Sequence, residues 1–207
     1  MVQVIPASEL TLHEVKTKFG LQQVEDELFF SEWQDLSELA DSDKRSLDLV
    51  KGNFLYLDQY PLSEEAVKLV VLSPLLAMAG FYGPPFRMRT EVPVQIALED
   101  EGEVVRGRID VLVLQERFWV LVVESKEAGF SLKAAIAQAL AYMVANPHPD
   151  KPAFGFVTNG SEFRFIKLVQ QGIPQYALSD LFTLQRRDND LHQVLRILKH
   201  IGQQVRN

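Results

Sequence analysis

The sequence predicts an α/β domain in which a central mixed β-sheet is flanked by helices. Large apolar residues recur at every second position from Val92 to Leu98, which is the period of a half-buried strand, and two more strand-like segments follow. Helix-like segments precede and follow these strands, with apolar residues three and four positions apart. The 207 residues, 47% of them hydrophobic and 24% charged, are enough for one globular domain with appendages.

Residues 1–62 are predicted to form a helical N-terminal extension. Thr11 and Glu14 have the spacing of a capping box, in which each side chain binds the other residue's backbone amide, and Gly20 then ends a short helix. Residues 21–60 are acidic and mostly helical in character. Three aromatic residues are expected to dock this segment on the rest of the protein: Phe29, Phe30 and Trp33.

Residues 63–175 are predicted to form the core. Ser63 caps a helix whose apolar residues cover more than one face, so we expect it to be largely buried and to kink at Pro74. The elements that follow are strands at 92–98, 104–114 and 118–126, a helix from Ser131 to about Ala145, and a hairpin of strands at 153–158 and 162–168. The third strand is apolar on both faces until its end, which is typical of a central strand.

Residues 176–207 are predicted to end in an amphipathic helix that begins at Asp188 or Asn189. Its apolar stripe consists of Leu191, Val194, Leu195, Leu198 and Ile201. We expect the stripe to be buried against the chain's own domain, and a seam between two copies of the chain is the alternative.

The composition excludes several classes of protein. Without cysteine, the chain has no disulfide framework, no thiolate zinc site and no cysteine nucleophile. The four histidines show no metal-ligand spacing, and neither a Gly-x-Ser-x-Gly nor a Gly-x-Gly-x-x-Gly motif occurs. The N-terminus lacks the pattern of a signal peptide, and the most apolar stretches are too short or too interrupted to span a bilayer. We therefore expect a soluble cytoplasmic protein with no membrane partner.

The net charge of −7 is unevenly distributed along the chain. Residues 1–100 hold eight basic and 17 acidic residues, a balance of −9, whereas residues 101–207 hold 13 and 11, a balance of +2. This acidity counts against an indiscriminate nucleic-acid coat protein, and it leaves room for a local basic cleft in the second half.

The end of the third predicted strand carries the most informative residues. Glu124 and Lys126 lie two apart and therefore project from the same face. Asp110 lies in the preceding strand, and pairing of the two strands would bring the two carboxylates together. Two carboxylates and water make the oxygen ligand set that Mg²⁺ prefers, and a lysine beside them can stabilise negative charge. The alternative is that Glu124 and Lys126 are solvated and that Asp110 pairs with Arg106 or Arg108.

Two helices carry residues that belong near this strand end. Gln138 and Tyr142 lie four apart on one face of the helix after the third strand. Glu64 and Glu65 lie in the first turn of the helix that Ser63 caps. The alternatives are an amphipathic helix edge for the first pair and a favourable charge at a helix N-terminus for Glu64.

In these residues the chain resembles the PD-(D/E)XK nuclease superfamily. It is most similar to the N-terminal endonuclease domain of type I restriction enzyme motor subunits, over residues 63 to about 168. The matching residues, in the family's order, are Ser63-Glu64 before Pro74-Leu-Leu, Asp110, Glu124-Ser125-Lys126, Gln138-Ala-Leu-Ala-Tyr142, Gly155-Phe-Val-Thr-Asn-Gly160 and Phe163-Arg-Phe. Ile109 stands where the superfamily often has proline. The resemblance implies a restriction-endonuclease-like core.

The resemblance also implies a role for each matching residue. Asp110 and Glu124 would hold Mg²⁺, for which Mn²⁺ is a possible substitute, with the Ser125 carbonyl as third ligand. Lys126 would be the catalytic lysine. Glu64 would touch the metal directly or through water, and Glu65 takes its place if the helix register differs by one. Gln138 and Tyr142 would steady the site or contact DNA.

The function we expect is Mg²⁺-dependent DNA endonuclease activity. Arg106, Arg108 and Lys133 fall within the core and are candidates to contact DNA phosphates, although each one alone can equally be an ordinary solvated charge. The chain has no Gly-x-x-x-x-Gly-Lys-Ser/Thr loop, so a helicase or specificity subunit would be a separate partner. A homodimer is a further option. The alternative is a DNA- or protein-binding module of the same fold that does not cleave.

Overall fold

A computed structural model describes residues 3–98, 102–116 and 118–204. Within these residues nine strands form one mixed sheet, and the predicted α/β class is confirmed. The strands are β1 (Gln3–Pro6), β2 (Gln22–Gln23), β3 (Phe86–Leu98), β4 (Glu103–Gln115), β5 (Phe118–Ser125), β6 (Ala153–Thr158), β7 (Glu162–Val169), β8 (Gln175–Leu178) and β9 (Phe182–Thr183). The order across the sheet is β1-β4-β5-β6-β7-β8-β2, with β3 paired to β4 and β9 paired to β7.

Helices cover both faces of this sheet. They are α1 (Leu12–Lys18), α2 (Asp41–Leu57), α3 (Glu64–Val67), α4 (Ser73–Met78), α5 (Leu132–Val144) and α6 (Leu191–Gln204), with 3₁₀ turns at Ala7–Glu9 and Glu27–Trp33. The apolar residues of α1 and α5 pack in one core cluster, and those of α2, α4 and α6 pack in another. The α5 face and the α6 face of the sheet are therefore buried separately. None of the described helices is both long enough and apolar enough to cross a membrane.

The N-terminal segment is helical for most of its length and also contributes two short strands. The predicted capping box is present, since Thr11 and Glu14 each bind the other residue's backbone amide. Trp33 packs edge-on against Phe165 of β7, with ring centroids 5.4 Å apart. In addition, β1 pairs in parallel with β4, and β2 pairs in parallel with β8. The segment 3–62 thus belongs to the same sheet as the predicted core.

The helix that Ser63 caps continues to Met78 through a π-helical turn. The Ser63 hydroxyl accepts the Ala66 amide at 3.3 Å, and Lys68–Leu72 form the π-helical turn between α3 and α4. There the Ser73 amide donates to the Lys68 carbonyl, five residues back. This wider turn directly precedes Pro74, whose ring would meet the carbonyl of residue 70 in a regular α-helix. Near the position where a kink was expected, the helix changes register through a π-helical turn that begins at Lys68.

Strand β4 changes one of its neighbours halfway along its length. One edge pairs with β3 in antiparallel register from end to end. The other edge pairs with β1 from Glu103 to Arg106 and with β5 from Val111 to Gln115. The strand alternation also shifts there, because Ile109 and Leu112, three apart, are both buried on the α5 face. The sheet therefore forks at residues 107–110, and Asp110 lies in the fork.

The C-terminal helix docks on its own domain, as expected. The five predicted stripe residues are completely buried in the α6-face cluster. The stripe is therefore buried within a single chain. In this arrangement it is not available as an interface between two copies of the chain.

Candidate active site

The fork in the sheet brings Asp110 and Glu124 to the same cleft. Val111 pairs with Val123 in the antiparallel register of β4 and β5, so Asp110 and Glu124 are opposite each other one position farther on. Asp110 Oδ2 accepts the Ser125 backbone N–H at 2.7 Å. Glu124 is 1% exposed and Asp110 9% exposed, so the alternative of a solvated strand-end Glu124 does not hold.

Burial makes the negative charge of these carboxylates costly. It raises the pKa of Glu124 to about 8, and the charge of Asp110 adds to this rise. Burial also raises the pKa of Asp110, although the Ser125 amide and Lys68 partly offset it. Glu124 Oε2 finds no hydrogen-bond partner among the described residues. The negative charge of the two carboxylates is therefore only partly compensated by nearby cations and hydrogen-bond donors.

Lys126 supplies part of that charge from the end of β5. Its ammonium donates to Glu124 Oε1 at 2.7 Å and to Gln138 Oε1 at 3.0 Å, and its side chain is 18% exposed. Strand alternation puts Glu124 and Lys126 on the same side, as the sequence predicted. Gln138 comes from α5, so this helix fixes the position of the ammonium.

Tyr142 connects α5 to the fork. Its hydroxyl accepts the Gln138 side-chain amide at 3.0 Å and the Arg108 backbone N–H at 3.1 Å. The second bond satisfies a β4 amide where the strand has left β1 and not yet met β5. The approach is close because residue 107 is glycine: a Cβ there would lie 2.3 Å from the hydroxyl.

Tyr142 is correspondingly inaccessible to a ligand. It is 1% exposed, and burial, followed by the charge of Glu124, raises the pKa of its hydroxyl to about 12. The expectation that Tyr142 contacts DNA does not hold in this structure, because its ring is packed and its hydroxyl is already bonded. Its position is that of a residue that steadies Gln138.

Lys68 belongs to the site and was missed by sequence reasoning. Its ammonium lies 2.6 Å from Glu64 Oε1, 3.4 Å from Asp110 Oδ1 and 4.0 Å from Glu91 Oε1. Burial lowers the Lys68 pKa, but the bonds and charges of Glu64 and Asp110 outweigh this effect and the pKa is raised. Lys68, rather than Arg106 or Arg108, is thus the cation beside Asp110. The only sequence signal was the spacing of four between Glu64 and Lys68.

Glu91 is the second residue that sequence reasoning missed. Glu91 lies on β3 directly opposite Asp110 on β4, because the flanking pairs are Thr90 with Val111 and Val92 with Ile109. Its φ is 51°, a left-handed conformation that is uncommon outside glycine. Glu91, Asp110 and Glu124 therefore form a row of carboxylates across β3, β4 and β5. We call this row, together with Glu64, the acidic row.

The remaining candidates differ in their exposure and in the groups that they contact. Glu65 binds the Ser63 side chain and its own amide, so it belongs to the helix cap rather than to the site. Arg106, Arg108 and Lys133 are exposed, and Arg106 donates to Gln95 at 3.1 Å. Ser125 is fully buried. These positions leave the three basic side chains accessible from solvent.

The donor set of the cleft fits a hard divalent cation with few protein ligands. Asp110 and Glu124 provide carboxylate oxygens, and such oxygens are what Mg²⁺ takes, usually together with several waters. Among the described residues, no group of three or more His, Asp or Glu side chains is arranged to hold a metal ion. Any cation would therefore rely on two carboxylates, water and backbone oxygen.

Comparison with known proteins identifies one family whose model matches most of the chain. No curated protein matches the chain. The family model described as type I restriction enzyme R protein N terminus (HSDR_N) matches residues 22–172. That range contains all of the site residues described above, and it begins within the N-terminal segment that β2 ties to the sheet. The chain therefore belongs to the family of type I restriction enzyme R protein N termini, a family of nuclease-like domains.

Proposed function

We propose that the protein is a Mg²⁺-dependent DNA endonuclease, with Mn²⁺ as a substitute metal. One observation carries this proposal: the buried Glu124 carboxylate faces Asp110, binds Lys126 through one oxygen, and has no donor for the other within the described part of the chain. Asp110, Glu124 and Lys126 are also the residues in which the sequence resembles PD-(D/E)XK nucleases. A binding site for a cation explains why they share one cleft.

The energetic cost of the arrangement supports a functional reason for it. Taking a carboxylate out of water costs several kcal/mol, and apolar residues of similar size would often make the fold as stable or more so. Glu124 and Asp110 bear this cost side by side, since burial is the largest cause of both raised pKa values. Titratable groups perturbed in this way concentrate at functional sites.

In the proposed reaction Asp110, Glu124 and the Ser125 carbonyl would hold the metal. The Mg²⁺ ion would supply a water activated for in-line attack on the phosphodiester bond. Lys126 would stabilise the negative charge that develops on the phosphate. Gln138 would keep the Lys126 ammonium in place, and Tyr142 would keep Gln138 in place, through the bonds described above.

Binding of DNA would depend on local rather than total charge. Arg106, Arg108 and Lys133 are exposed, and each could contact a backbone phosphate. The net charge of −7 would otherwise oppose a polyanion. We also propose a helicase or specificity subunit as partner, in keeping with the match to type I restriction enzyme R proteins, and the cytoplasm as the compartment. A homodimer is the further option, but it would need a surface other than the α6 stripe.

A second candidate function is a DNA- or protein-binding module that does not cleave. The observation that favours it is Lys68, whose ammonium already pairs with both Glu64 and Asp110 without a metal. Such a module would bind DNA or a partner subunit equally well with or without Mg²⁺.

A plasmid nicking assay separates the two functions. Supercoiled plasmid is incubated with the full chain in Mg²⁺, in Mn²⁺ and in EDTA, and binding of the same DNA is measured in parallel. Asp110→Asn and Lys126→Ala test the site. The matched control is Lys44→Ala, which removes one charge from α2, a helix that carries no site residue.

We expect nicking by the wild type and by Lys44→Ala in either metal, none in EDTA or by Asp110→Asn, and much slower nicking by Lys126→Ala. DNA binding without nicking in any metal would favour the module. Equal nicking by wild type and Lys126→Ala would remove Lys126 from the mechanism.

A further inference from the structure

Lys68 lies beside the Asp110 oxygen that no backbone amide binds among the described residues. The carboxylate has two oxygens, and Oδ2 already accepts the Ser125 amide at 2.7 Å. Oδ1 lies 3.4 Å from the Lys68 ammonium. Oδ1 is thus the more available oxygen for a cation, and Lys68 is the positive charge already beside it.

The position of Lys68 depends on two unusual backbone features. Lys68 begins the π-helical turn, and such turns are rare and often occur at functional sites. Glu91 is held at φ 51° next to Asp110, and its carboxylate lies 4.0 Å from the ammonium. Left-handed non-glycine residues cost free energy, so they persist only where the surrounding structure enforces them. The ammonium thus lies between Asp110 on the inner side and Glu91 on the outer side.

The charges of the cleft balance with one divalent cation. The acidic row carries four carboxylates, and Lys68 and Lys126 carry two ammonium groups. The fully ionised site therefore lacks two positive charges. Lys68 cannot remain at Asp110 once a divalent ion binds there, because two cations on one oxygen repel each other. Glu64 and Glu91 remain as partners for it on the outer side.

We propose that Lys68 is a resident counter-ion that competes with the divalent cation for Asp110 and retreats toward Glu91 when the metal binds. The inference rests on the metal site proposed above and adds its regulation. Lys68 offsets part of the negative charge of the metal-free site and thereby raises the metal concentration at which the site fills. A lysine that merely supports the fold would have the opposite effect, since its loss would loosen Asp110 and weaken metal binding.

Calorimetric titration with Ca²⁺ tests the competition without requiring cleavage. Ca²⁺ takes the same oxygen ligands as Mg²⁺. Lys68→Met removes the competing charge and should tighten Ca²⁺ binding about tenfold or more at low salt. Lys68→Arg keeps the charge and should bind within about threefold of the wild type. Lys44→Met removes the same charge from α2 and should leave the affinity unchanged.

Further variants keep the outcomes distinct. If Lys68→Met does not fold, Lys68→Gln, which can still bond to Glu64, replaces it in the comparison. Equal Ca²⁺ binding by wild type and Asp110→Asn would overturn the metal site itself. Binding that requires Asp110 but is no tighter in Lys68→Met or Lys68→Gln than in the wild type would overturn the competition and leave the metal site standing.

Discussion

Asp110 Oδ2 accepts the backbone N–H of Ser125 at 2.7 Å, at a point where β4 and β5 are no longer joined by ladder pairs. The Asp110 side chain thus makes a hydrogen bond between the two strands where no backbone pair joins them. Asp110 therefore links β4 to β5 as well as facing the cleft. An amide oxygen can accept the same bond, whereas it cannot supply the negative charge. Structural and electrostatic roles of Asp110 are therefore separable by one substitution.

The first prediction concerns Asp110→Asn. The free energy of unfolding of the metal-free variant should lie within about 1 kcal/mol of the wild-type value. The variant loses the ion pair with Lys68, but it no longer has to bury a negative charge at this position. The wild type at a metal concentration of about 100 times its dissociation constant should gain about 2.7 kcal/mol, and the variant should gain little. Thermal unfolding with and without Mg²⁺ or Ca²⁺ measures both. A strongly destabilised variant that keeps the full response to metal would make Asp110 purely structural.

The second prediction concerns pH. The folded-state pKa of Glu124, about 8, lies above its ordinary value of 4.5, so the folded protein favours the protonated carboxyl. The stability due to this group is complete below about pH 4.5 and is lost as the pH rises toward 8. The free energy of unfolding of the metal-free protein should therefore fall by up to about 1.4 kcal/mol per pH unit in that window.

Urea unfolding from pH 5 to pH 8 measures this slope. Glu124→Gln cannot ionise, so its slope should be shallower than that of the wild type, and the two stabilities should diverge most at pH 8. Parallel curves for the two proteins would show that Glu124 does not titrate in this range. With Ca²⁺ present the wild-type loss should shrink, because the ion binds the ionised carboxylate.

The third prediction concerns Lys126→Ala. An electrostatic contact with the transition state is worth about 3 kcal/mol, so single-turnover cleavage should slow about 100-fold. The side chain is only 18% exposed and makes two hydrogen bonds, so its loss should also cost about 1–2 kcal/mol of stability. Lys44→Ala should change neither quantity appreciably. A stability loss without a change in rate would make Lys126 a structural partner of Glu124.

The fourth prediction concerns Gly107→Ala. The added Cβ would lie 2.3 Å from the Tyr142 hydroxyl, so the ring must move and its bonds to Arg108 and Gln138 must lengthen. We expect a loss of about 1–3 kcal/mol of stability and slower cleavage, because Gln138 no longer fixes Lys126. Denaturant midpoints and cleavage rates measure the two effects.

Gly52→Ala is the matched control for this substitution. Gly52 lies inside α2, and apart from its chain neighbours and the helix's own backbone no described atom lies within 4 Å of the Cβ that alanine would add. Alanine should stabilise the helix there by about 0.5–1 kcal/mol. If Gly107→Ala unfolded at the same denaturant concentration as the wild type, the close contact with Tyr142 would be excluded.

Local patterns in the sequence were enough to predict the residues on β5 and α5. Alternation along a strand puts Glu124 and Lys126 on one face, and a spacing of four puts Gln138 near Tyr142. These rules depend only on neighbouring residues, so they hold before the fold is known. The strand order was not needed to predict them.

Long-range and exceptional features could not be predicted in this way. Lys68 and Asp110 are in contact although they are 42 positions apart in the sequence. The contact also involves a π-helical turn, which no residue type in the sequence predicts. Glutamate is uncommon in the left-handed region, so nothing marked Glu91. Strands β1 and β2 have four and two residues, too few for any periodicity to show.

The pairing of β1 with β4 limits where this protein can be shortened. A fragment that starts at Ser63, where the nuclease-like motifs begin, would lack β1 and leave the β4 backbone from Glu103 to Arg106 as an open edge. Open edges invite pairing with other chains, and this one borders the fork that holds Asp110. The first strand thus protects the site from aggregation, and the smallest fragment that keeps the motifs is not the smallest that keeps the site.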